Sequence, residues 1–372
     1  MRVHRQGARV LRPVGVGVLD TGIDARHRTL RGRVADFAFV DEDGRVEPGR
    51  EPFDTDGHGT HTGAIVTRTC AAAQLYCATV IEGGRVPLRM LMGLAWLRDK
   101  PIRVLHLPLG IDEPTPVLRD VIRGFVRRGV LVVAAAGNRG SGRIDTPACY
   151  SGVLAVGAHE ASGEVAVFSG SQLEAGSERC RKPEVLAPGV EVRSARRGGG
   201  WERRSGTSMA SASVAGLAAA LFAVRPGATA GRVAAAIQRS ARPSAAELAH
   251  RVRAGCVDPK AAHRLLARRQ LTRRPPCRPL DWASHPRTDA LLDRRLRLGL
   301  SGPTEAIVTA ARAESLAALQ SKHRRLAWSP LPGRRQALVR GSPSAIRALL
   351  SDREVLHLAS TELDVGSWSP WG

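Results

Sequence analysis

Short runs of consecutive apolar residues recur through the first half of the chain. Four of them are nearly free of polar residues, as in parallel strands that are buried on both faces: 14–19, 103–109, 131–137 and 153–158. Helical spacing of apolar residues follows over 88–99, 116–128, 208–224 and 259–269. This alternation predicts an α/β fold with a doubly wound, mostly parallel sheet. In such sheets functional residues collect at the carboxyl ends of the strands.

The pattern changes after the last of these helices. Residues 271–300 are rich in Arg and Pro, which predicts a basic, semi-rigid linker. Beyond the linker the pattern predicts strands at 305–310, 325–328, 336–340 and 355–359, helices at 312–323 and 344–350, and a Pro332-Gly333 turn. The order β-α-β-β-α-β is the split βαβ arrangement of a small α+β, ferredoxin-like domain. We therefore predict a main domain at 1–270, a linker at 271–300 and a C-terminal module at 301–372.

The chain has 372 residues and a formal net charge of +22. Only four of its 56 basic residues are Lys, and the Arg residues are spread along the whole sequence. Because they are not concentrated in one segment, we expect non-specific attraction to acidic polymers and no specific nucleic-acid partner.

Neither a membrane span nor a leader is predicted. No apolar run reaches the 18 residues that a span requires, so no membrane partner is expected. The N-terminal region is basic, but the apolar stretch 13–19 is short, interrupted by Gly and followed directly by Asp20. A signal peptide does not have this pattern, so we expect a cytoplasmic protein.

The six Cys residues form no CxxC pair and no zinc spacing. Small buried apolar side chains are the interpretation we prefer. Two disulfides are the alternative in an oxidising compartment: Cys70 with Cys77, and Cys149 with Cys180.

Four polar residues stand where a core pattern meets a turn or a helix start. Asp20 ends a buried apolar run, and Asn138 follows another. His58 lies between two glycines at the start of a helix, and Ser208 opens an Ala-rich helix. These residue types suit nucleophilic acyl transfer: His takes the proton of Ser, and a buried carboxylate orients His. The N–H of Ser208 and the amide of Asn138 would stabilise an oxyanion.

The three motifs occur in the order Asp, His, Ser: VLDTG around Asp20, DGHGTH around His58 and SGTSMAS around Ser208. With LPLG at 107–110, VLAVGA at 153–158 and LAPG at 186–189, the chain from 14 to 269 resembles the subtilisin-like serine proteases, or subtilases. The resemblance implies a subtilisin-like fold, a triad of Asp20, His58 and Ser208, and Asn138 as oxyanion donor.

The resemblance also implies how substrate binds. An extended peptide would lie between two backbone edges, Pro108-Leu109-Gly110 and a segment near 83–85. Ala136, Gly137 and Asp145 would line the pocket for P1, the residue before the scissile bond. A carboxylate there would favour Arg or Lys at P1; a solvent-exposed loop Asp is the alternative.

Several positions depart from the family pattern. Pro108 stands where Ser is usual, and Ala212-Ser213 replaces the usual Pro-His. Neither departure alters a triad side chain, so we expect lower or altered activity rather than a loss of activity. The segment 61–76 lacks the long Asn-rich insertion that forms the strong calcium site of many relatives. No metal and no other cofactor is therefore expected.

The module at 301–372 resembles a subtilase pro-domain placed at the C-terminus. In the family, a tail such as residues 362–372 lies in the substrate cleft, so we predict an intramolecular inhibitor or folding module. An appended domain that binds a partner through Trp368 and Trp371 is the alternative. The predicted function is a serine endopeptidase with an extended peptide or protein as substrate. A peptide maturase or ligase and a silent peptide-binding protein are the alternatives.

Overall fold

A computed structural model describes residues 11–81, 86–111, 115–172, 181–244, 251–267, 304–331 and 335–360. The strands of the first unit are β1 (Val14–Asp20), β2 (Val34–Val40), β3 (Val46–Pro48), β4 (Ala73–Thr79), β5 (Ile102–Leu107), β6 (Leu131–Ala135), β7 (Val153–His159), β8 (Val185–Pro188), β9 (Val192–Ala195) and β10 (Trp201–Arg204). Its helices are α1 (His58–Thr69), α2 (Val86–Leu97), α3 (Pro116–Arg127), α4 (Thr207–Val224), α5 (Ala230–Ser240) and α6 (Pro259–Ala267).

Strands β1 to β8 form one sheet in the order β3-β2-β4-β1-β5-β6-β7-β8. Neighbouring strands are parallel except for β2 and β3 at the edge. The predicted doubly wound, mostly parallel sheet is thereby confirmed. Strand β1 lies between β4 and β5, so the carboxyl end of β1 is where a crevice is expected.

Helices cover both faces of this sheet. Helices α1, α4, α5 and α6 share one apolar cluster, and α2 and α3 share the other. Within β1, Val18 packs into the first cluster and Leu19 into the second, as the alternation of a strand requires. Among the described residues, α4 is the one helix long and apolar enough to cross a membrane, and 83% of it is buried in the fold.

Two strands end earlier than their apolar runs predict. Strand β5 ends at Leu107 and β6 at Ala135, each two residues short. Pro108 has no N–H to donate to a ladder, and Gly137 has a φ of 98°. Both segments therefore leave the sheet at its carboxyl edge, and they form the walls of the cleft described below.

The second unit contains β11 (Thr304–Ala310), α7 (Ser315–Lys322), β12 (Ala327–Pro330), β13 (Gln336–Gly341), α8 (Pro343–Leu349) and β14 (Val355–Ser360). Its antiparallel sheet has the order β12-β13-β11-β14. The element order agrees with the prediction, but two bounds differ. Helix α7 begins three residues late because 311–314 form a turn, and β12 lies two residues later because Pro330 pairs with Ala337.

The two faces of this small sheet have different neighbours. Val308 of β11 packs with the module's own helices, whereas Ile307 and Ala359 belong to the apolar cluster of α2 and α3. Arg335 forms an ion pair with Asp120 of α3. The module thus lies against the first unit through one face of its sheet.

Some predicted features lie outside the described residues: 83–85, the linker at 271–300, the Pro332-Gly333 turn, the tail at 362–372, Cys180 and Cys277. Among the described cysteines, Cys70, Cys77, Cys149 and Cys256 are free thiols.

Candidate active site

Asp20 and His58 form a buried pair at the carboxyl end of the sheet. Asp20 is the last residue of β1 and His58 the first of α1. His58 Nδ1–H donates to Asp20 Oδ1 at 2.6 Å, and both side chains are 2% exposed. Asp20 also accepts from Thr21 N at 2.7 Å and from Thr62 Oγ1 at 2.8 Å. With the proton held on Nδ1, Nε2 is the basic nitrogen of the ring.

The surroundings of His58 favour its protonated form. Burial lowers the pKa of His58, but the charge and hydrogen bond of Asp20 outweigh burial, so the pKa lies above the usual 6.5. Arg204 opposes this rise and Asp54 adds to it. One turn further along α1, burial lowers the pKa of His61 to about 3, which leaves that ring neutral.

A second buried carboxylate, Asp54, ties the end of β1 to the start of α1. It accepts from Thr21 Oγ1 at 2.8 Å, from Gly57 N at 2.8 Å, and from Thr60 N and Oγ1 at 2.7 and 2.6 Å. Thr21 Oγ1 accepts in turn from Gly59 N at 3.1 Å. These bonds fix the two backbone segments that carry the buried pair.

Ser208 lies at the start of α4. Gly206, with a φ of 152°, caps the helix, and Thr207 is its first residue. Ser208 Oγ donates to Pro108 O at 2.7 Å rather than to His58 Nε2. Catalytic hydrogen bonds are often unformed until substrate is bound. Pro108 thus acts through its carbonyl, a contact that any residue at this position could make.

Asn138 is oriented by the first residue of α4. Its Oδ1 accepts from Thr207 N at 2.9 Å and from Thr207 Oγ1 at 3.0 Å. A backbone N–H only donates, so Oδ1 must face it and Nδ2 is the end left to donate to a ligand. The N–H of Ser208, in the first helical turn, has no acceptor within the helix. Two donors are thus available beside Ser208.

A polar pair, His106 and Ser211, lies behind Ser208 in the core. Ser211 Oγ donates to Ser208 O at 2.9 Å, so His106 Nε2–H donates to Ser211 Oγ at 3.0 Å. Burial lowers the pKa of His106 to about 3, which keeps the ring neutral. The pair thus connects the first turn of α4 to the carboxyl end of β5.

The residues predicted to line the pocket for P1 surround one recess. Asp145 N donates to Ala136 O at 3.0 Å. A Cβ on either Gly110 or Gly137 would collide with the Asp145 side chain. Leu109, which precedes Gly110, is buried. The carboxylate of Asp145 therefore lies against the backbone at Gly110 and at Gly137, two of the positions predicted to contact substrate.

Asp145 is already paired. Arg139 Nη2 donates to Asp145 Oδ1, and the Asp145 side chain is 15% exposed. It is therefore not a solvent-exposed loop residue. Burial raises the pKa of Asp145, and the hydrogen bond and charge of Arg139 oppose that rise. Arg139 was not among the predicted site residues, because nothing in its local sequence distinguishes it from the many other arginines.

The connection from α1 to β4 comprises residues 70–72. Within the described ranges, no three His, Cys, Asp or Glu side chains are grouped so as to hold a metal ion.

Sequence reasoning missed Thr62, Asp54, His106 and Arg139. Asp54 makes local bonds, to Gly57 N and Thr60 N, so its place shortly before a helix start was the one available signal. For His106 there was none, since its partner Ser211 is 105 residues away.

A sequence model of the subtilase family matches residues 12–266. The thermophilic serine proteinase of Bacillus sp. (strain AK1) is 35% identical over 226 residues, which are 55% of this chain and 51% of that protein. Subtilisin Savinase of Lederbergia lenta is 35% identical over 217 residues, 55% of this chain and 75% of that protein. The chain thus spans only about half the length of the first of these relatives.

Two solved structures share the fold. The prenylagaramide maturation protease PagA superposes with a TM-score of 0.56 and 23% identity, over 68% of this chain and 93% of that one. A mutant of the protease domain of PatA superposes with a TM-score of 0.56 and 27% identity, over 70% of this chain and 98% of that one.

Proposed function

The chain belongs to the subtilase family, and we propose that it is a serine endopeptidase whose triad is Asp20, His58 and Ser208. The observation that carries this proposal is the buried 2.6 Å bond from His58 Nδ1 to Asp20 Oδ1. That bond leaves Nε2 basic on the same side of the sheet as the start of α4. A neutral ring and a buried anion are the arrangement that activates a serine hydroxyl.

The reaction proceeds through an acyl-enzyme. Ser208 Oγ leaves the Pro108 carbonyl, transfers its proton to His58 Nε2 and attacks the substrate carbonyl. Ser208 N–H and Asn138 Nδ2 stabilise the oxyanion of the tetrahedral intermediate. His58 then donates the proton to the leaving amine, and the C–N bond breaks. Water, deprotonated by His58, cleaves the ester and restores Ser208.

Substrate binds in this proposal as an extended strand against 108–110, with its P1 side chain in the recess above Asp145. Because Pro108 lacks an N–H, that edge offers one donor fewer than a strand of other residues. Asp145 favours a basic P1 residue, in competition with Arg139. Displacement of Arg139 by an incoming Arg or Lys exchanges one ion pair for another, so the preference is modest.

The C-terminal module restrains the enzyme in this proposal. Its support is the packing of Ile307 and Ala359 in the cluster of α2 and α3, and the ion pair between Arg335 and Asp120. A tethered segment has a high effective concentration at its site, so weak docking is sufficient.

Dedicated maturation of a peptide is the second candidate. PagA is a maturation protease, and its fold is shared by this chain. In that case the enzyme cleaves one class of precursor rather than unfolded proteins in general.

Product mass separates these functions. Full-length protein is incubated with a denatured protein and with a peptide library, and new termini are identified by mass spectrometry. An endopeptidase gives fragment pairs whose masses sum to the substrate plus one water, and Ser208→Ala gives none. A ligase gives products joined to an amine without added water. Intact substrates throughout would contradict both catalytic functions and leave a silent peptide-binding protein.

The module has its own test. Asp120→Arg repels Arg335 and loosens docking, so cleavage should become severalfold faster. The charge exchange Asp120→Arg with Arg335→Asp should restore the slow rate. Arg312→Asp, on an exposed turn of the module, is the matched control and should change nothing. Equal rates for all four proteins would contradict restraint by this interface.

A further inference from the structure

The hairpin of β9 and β10 carries an arginine-rich turn beside His58. Trp201 pairs with Ala195 and Arg204 with Val192, so the turn between the strands comprises 196–200. This turn is fixed to the loop that follows β1, because Gly198 N donates to Asp24 Oδ2 at 2.9 Å. The hairpin is therefore a built wall of the cleft.

Two side chains of the hairpin lie against the residue that precedes His58. A Cβ on Gly57 would lie 3.2 Å from Arg204 Nη2 and 3.3 Å from Arg197 Cβ. Arg197 Nη1 donates to Asp54 O at 2.8 Å and also to Thr55 O. The charge of Arg204 is felt at His58, whose pKa it lowers against the effect of Asp20.

The charges of these arginines are balanced differently. Arg204 pairs with Glu202 at 2.7 Å and with Asp56 at 3.3 Å. Arg196 and Arg197 are exposed and bond to backbone carbonyls. Within the described residues neither of these two has a carboxylate at ion-pair distance. Two guanidinium groups without a carboxylate partner among the described residues therefore face solvent on this turn, and the backbone of one of them, Arg197, lies against Gly57.

The proposed mechanism determines which part of the substrate lies beside the hairpin. The acyl part of the substrate occupies the recess of Asp145, on the Asn138 side of Ser208. The leaving amine takes its proton from His58, so the residues after the scissile bond depart on the His58 side. Those residues pass the turn that carries Arg196 and Arg197.

We propose that Arg196 and Arg197 form a subsite for acidic side chains located after the scissile bond of the substrate. This inference rests on the proposed endopeptidase function and adds to it the chemical class of the leaving segment. Guanidinium groups bind carboxylates in a bidentate geometry, and these two groups are held in place by the hairpin. Two exposed ion pairs correspond to a preference of about fivefold at low ionic strength.

Binding to the full-length Ser208→Ala protein tests the subsite without turnover. Two fluorescent peptides begin with the free α-amine of a leaving segment and differ only at positions two and three, Glu-Glu or Gln-Gln. The acidic peptide should bind about fivefold more tightly, and salt should remove the difference. Adding Arg196→Gln and Arg197→Gln should abolish it, whereas Arg197→Lys should keep most of it. Because Arg197→Lys retains the charge, it separates loss of charge from damage to the loop.

Arg203→Gln is the matched control. Arg203 is equally exposed and lies on the same hairpin, but on the face opposite Arg204, where its Nη1 donates to Glu191 O. The preference should survive this change. Equal binding of the two peptides, or a preference that survives loss of Arg196 and Arg197, would overturn the inference. Single-stranded DNA of equal charge that binds as tightly as the acidic peptide would also overturn it, as a general polyanion surface.

Failure of the subsite and failure of the enzyme are distinguishable. A fluorophosphonate reacts with an activated Ser208 and carries no peptide leaving segment. Labelling without an acidic preference contradicts only the subsite. An acidic preference without labelling contradicts the proposed catalysis and leaves Arg196 and Arg197 as a binding site for acidic peptides that are not cleaved.

Discussion

Arginines lie on two sides of the proposed site, but of Arg139, Arg196 and Arg197 only Arg139 is paired with a carboxylate among the described residues. On the side proposed for the acyl part of the substrate, Arg139 is paired with Asp145 in a recess against Gly110 and Gly137. On the side proposed for the leaving segment, Arg196 and Arg197 bond to backbone carbonyls and keep their charge toward solvent. A net charge of +22 therefore says little about either side. The electrostatic character of each wall depends on which acceptor its arginines meet.

The centre shared by both sides should be the most sensitive to change. Asp20→Asn keeps the shape of the pair but removes the charge that fixes the His58 tautomer. We expect kcat to fall by about 10⁴-fold with peptides of any sequence. Steady-state kinetics on one peptide cleaved by the parent protein measures this. A loss below tenfold would mean that Asp20 does not serve His58.

The proposed oxyanion donor, Asn138, lies on the side proposed for the acyl part of the substrate. Asn138→Leu removes Nδ2 and also the acceptor of Thr207 N, so kcat should fall by about 10²–10³-fold, a magnitude known from a subtilisin. KM should change little, because the donor acts mainly in the transition state. Thr207→Val is the companion variant, since it keeps the amide but removes one of its anchors. A change in KM alone would assign Asn138 to ground-state binding.

Freeing Asp145 from its partner should sharpen the contrast between the two walls. In Arg139→Gln the carboxylate is available to substrate, and the preference for Arg over Leu at P1 should rise by about tenfold. Asp145→Asn should remove that preference. Paired peptides that differ only at P1 give the ratio of kcat/KM. A strict preference for large apolar P1 residues in all three proteins would contradict the role of Asp145.

The pH dependence should show the raised pKa of His58. Catalysis needs the neutral ring, so kcat/KM should be half-maximal at a pH above 6.5 and fall as the pH falls. The effect on stability has the opposite sign. The raised pKa of His58 contributes to the free energy of unfolding, and this contribution is fully present below pH 6.5 and is lost as pH rises through the pKa of the folded state. Asp54→Asn should move the acidic side of the kcat/KM profile to lower pH, because Asp54 raises the pKa of His58. An unchanged profile would leave Asp54 with a structural role only.

Buried neutral histidines should limit stability in acid. His61 and His106 have pKa values of about 3 in the fold and about 6.5 when unfolded. Their contribution is fully present above pH 6.5 and is lost as pH falls toward 3. Thermal unfolding of His106→Asn should therefore depend less steeply on pH in this window than that of the parent protein. An identical slope would contradict this origin.

The fold class and strands β1, β5, β6 and β7 were predictable from the sequence because buried parallel strands are continuous apolar runs. The ends of β5 and β6 were not, because Pro108 and Gly137 leave the ladder while remaining apolar in pattern. The pairing of Asp20 with His58 was predictable because Asp20 ends a strand and His58 opens a helix. Their supports were not: the bond between His106 and Ser211 and the pairing of Arg139 with Asp145 arise from contacts made only after folding.

Intact mass after fluorophosphonate treatment tests the central claim, that the buried pair activates Ser208, most directly. The full-length protein, Ile307→Asp and Ser208→Ala are treated alike. Ile307→Asp is included because it loosens the module from α2 and α3. The account predicts one adduct, formed faster on Ile307→Asp and absent from Ser208→Ala. The absence of an adduct from both Ser208-containing proteins, or an equal adduct on Ser208→Ala, would contradict it.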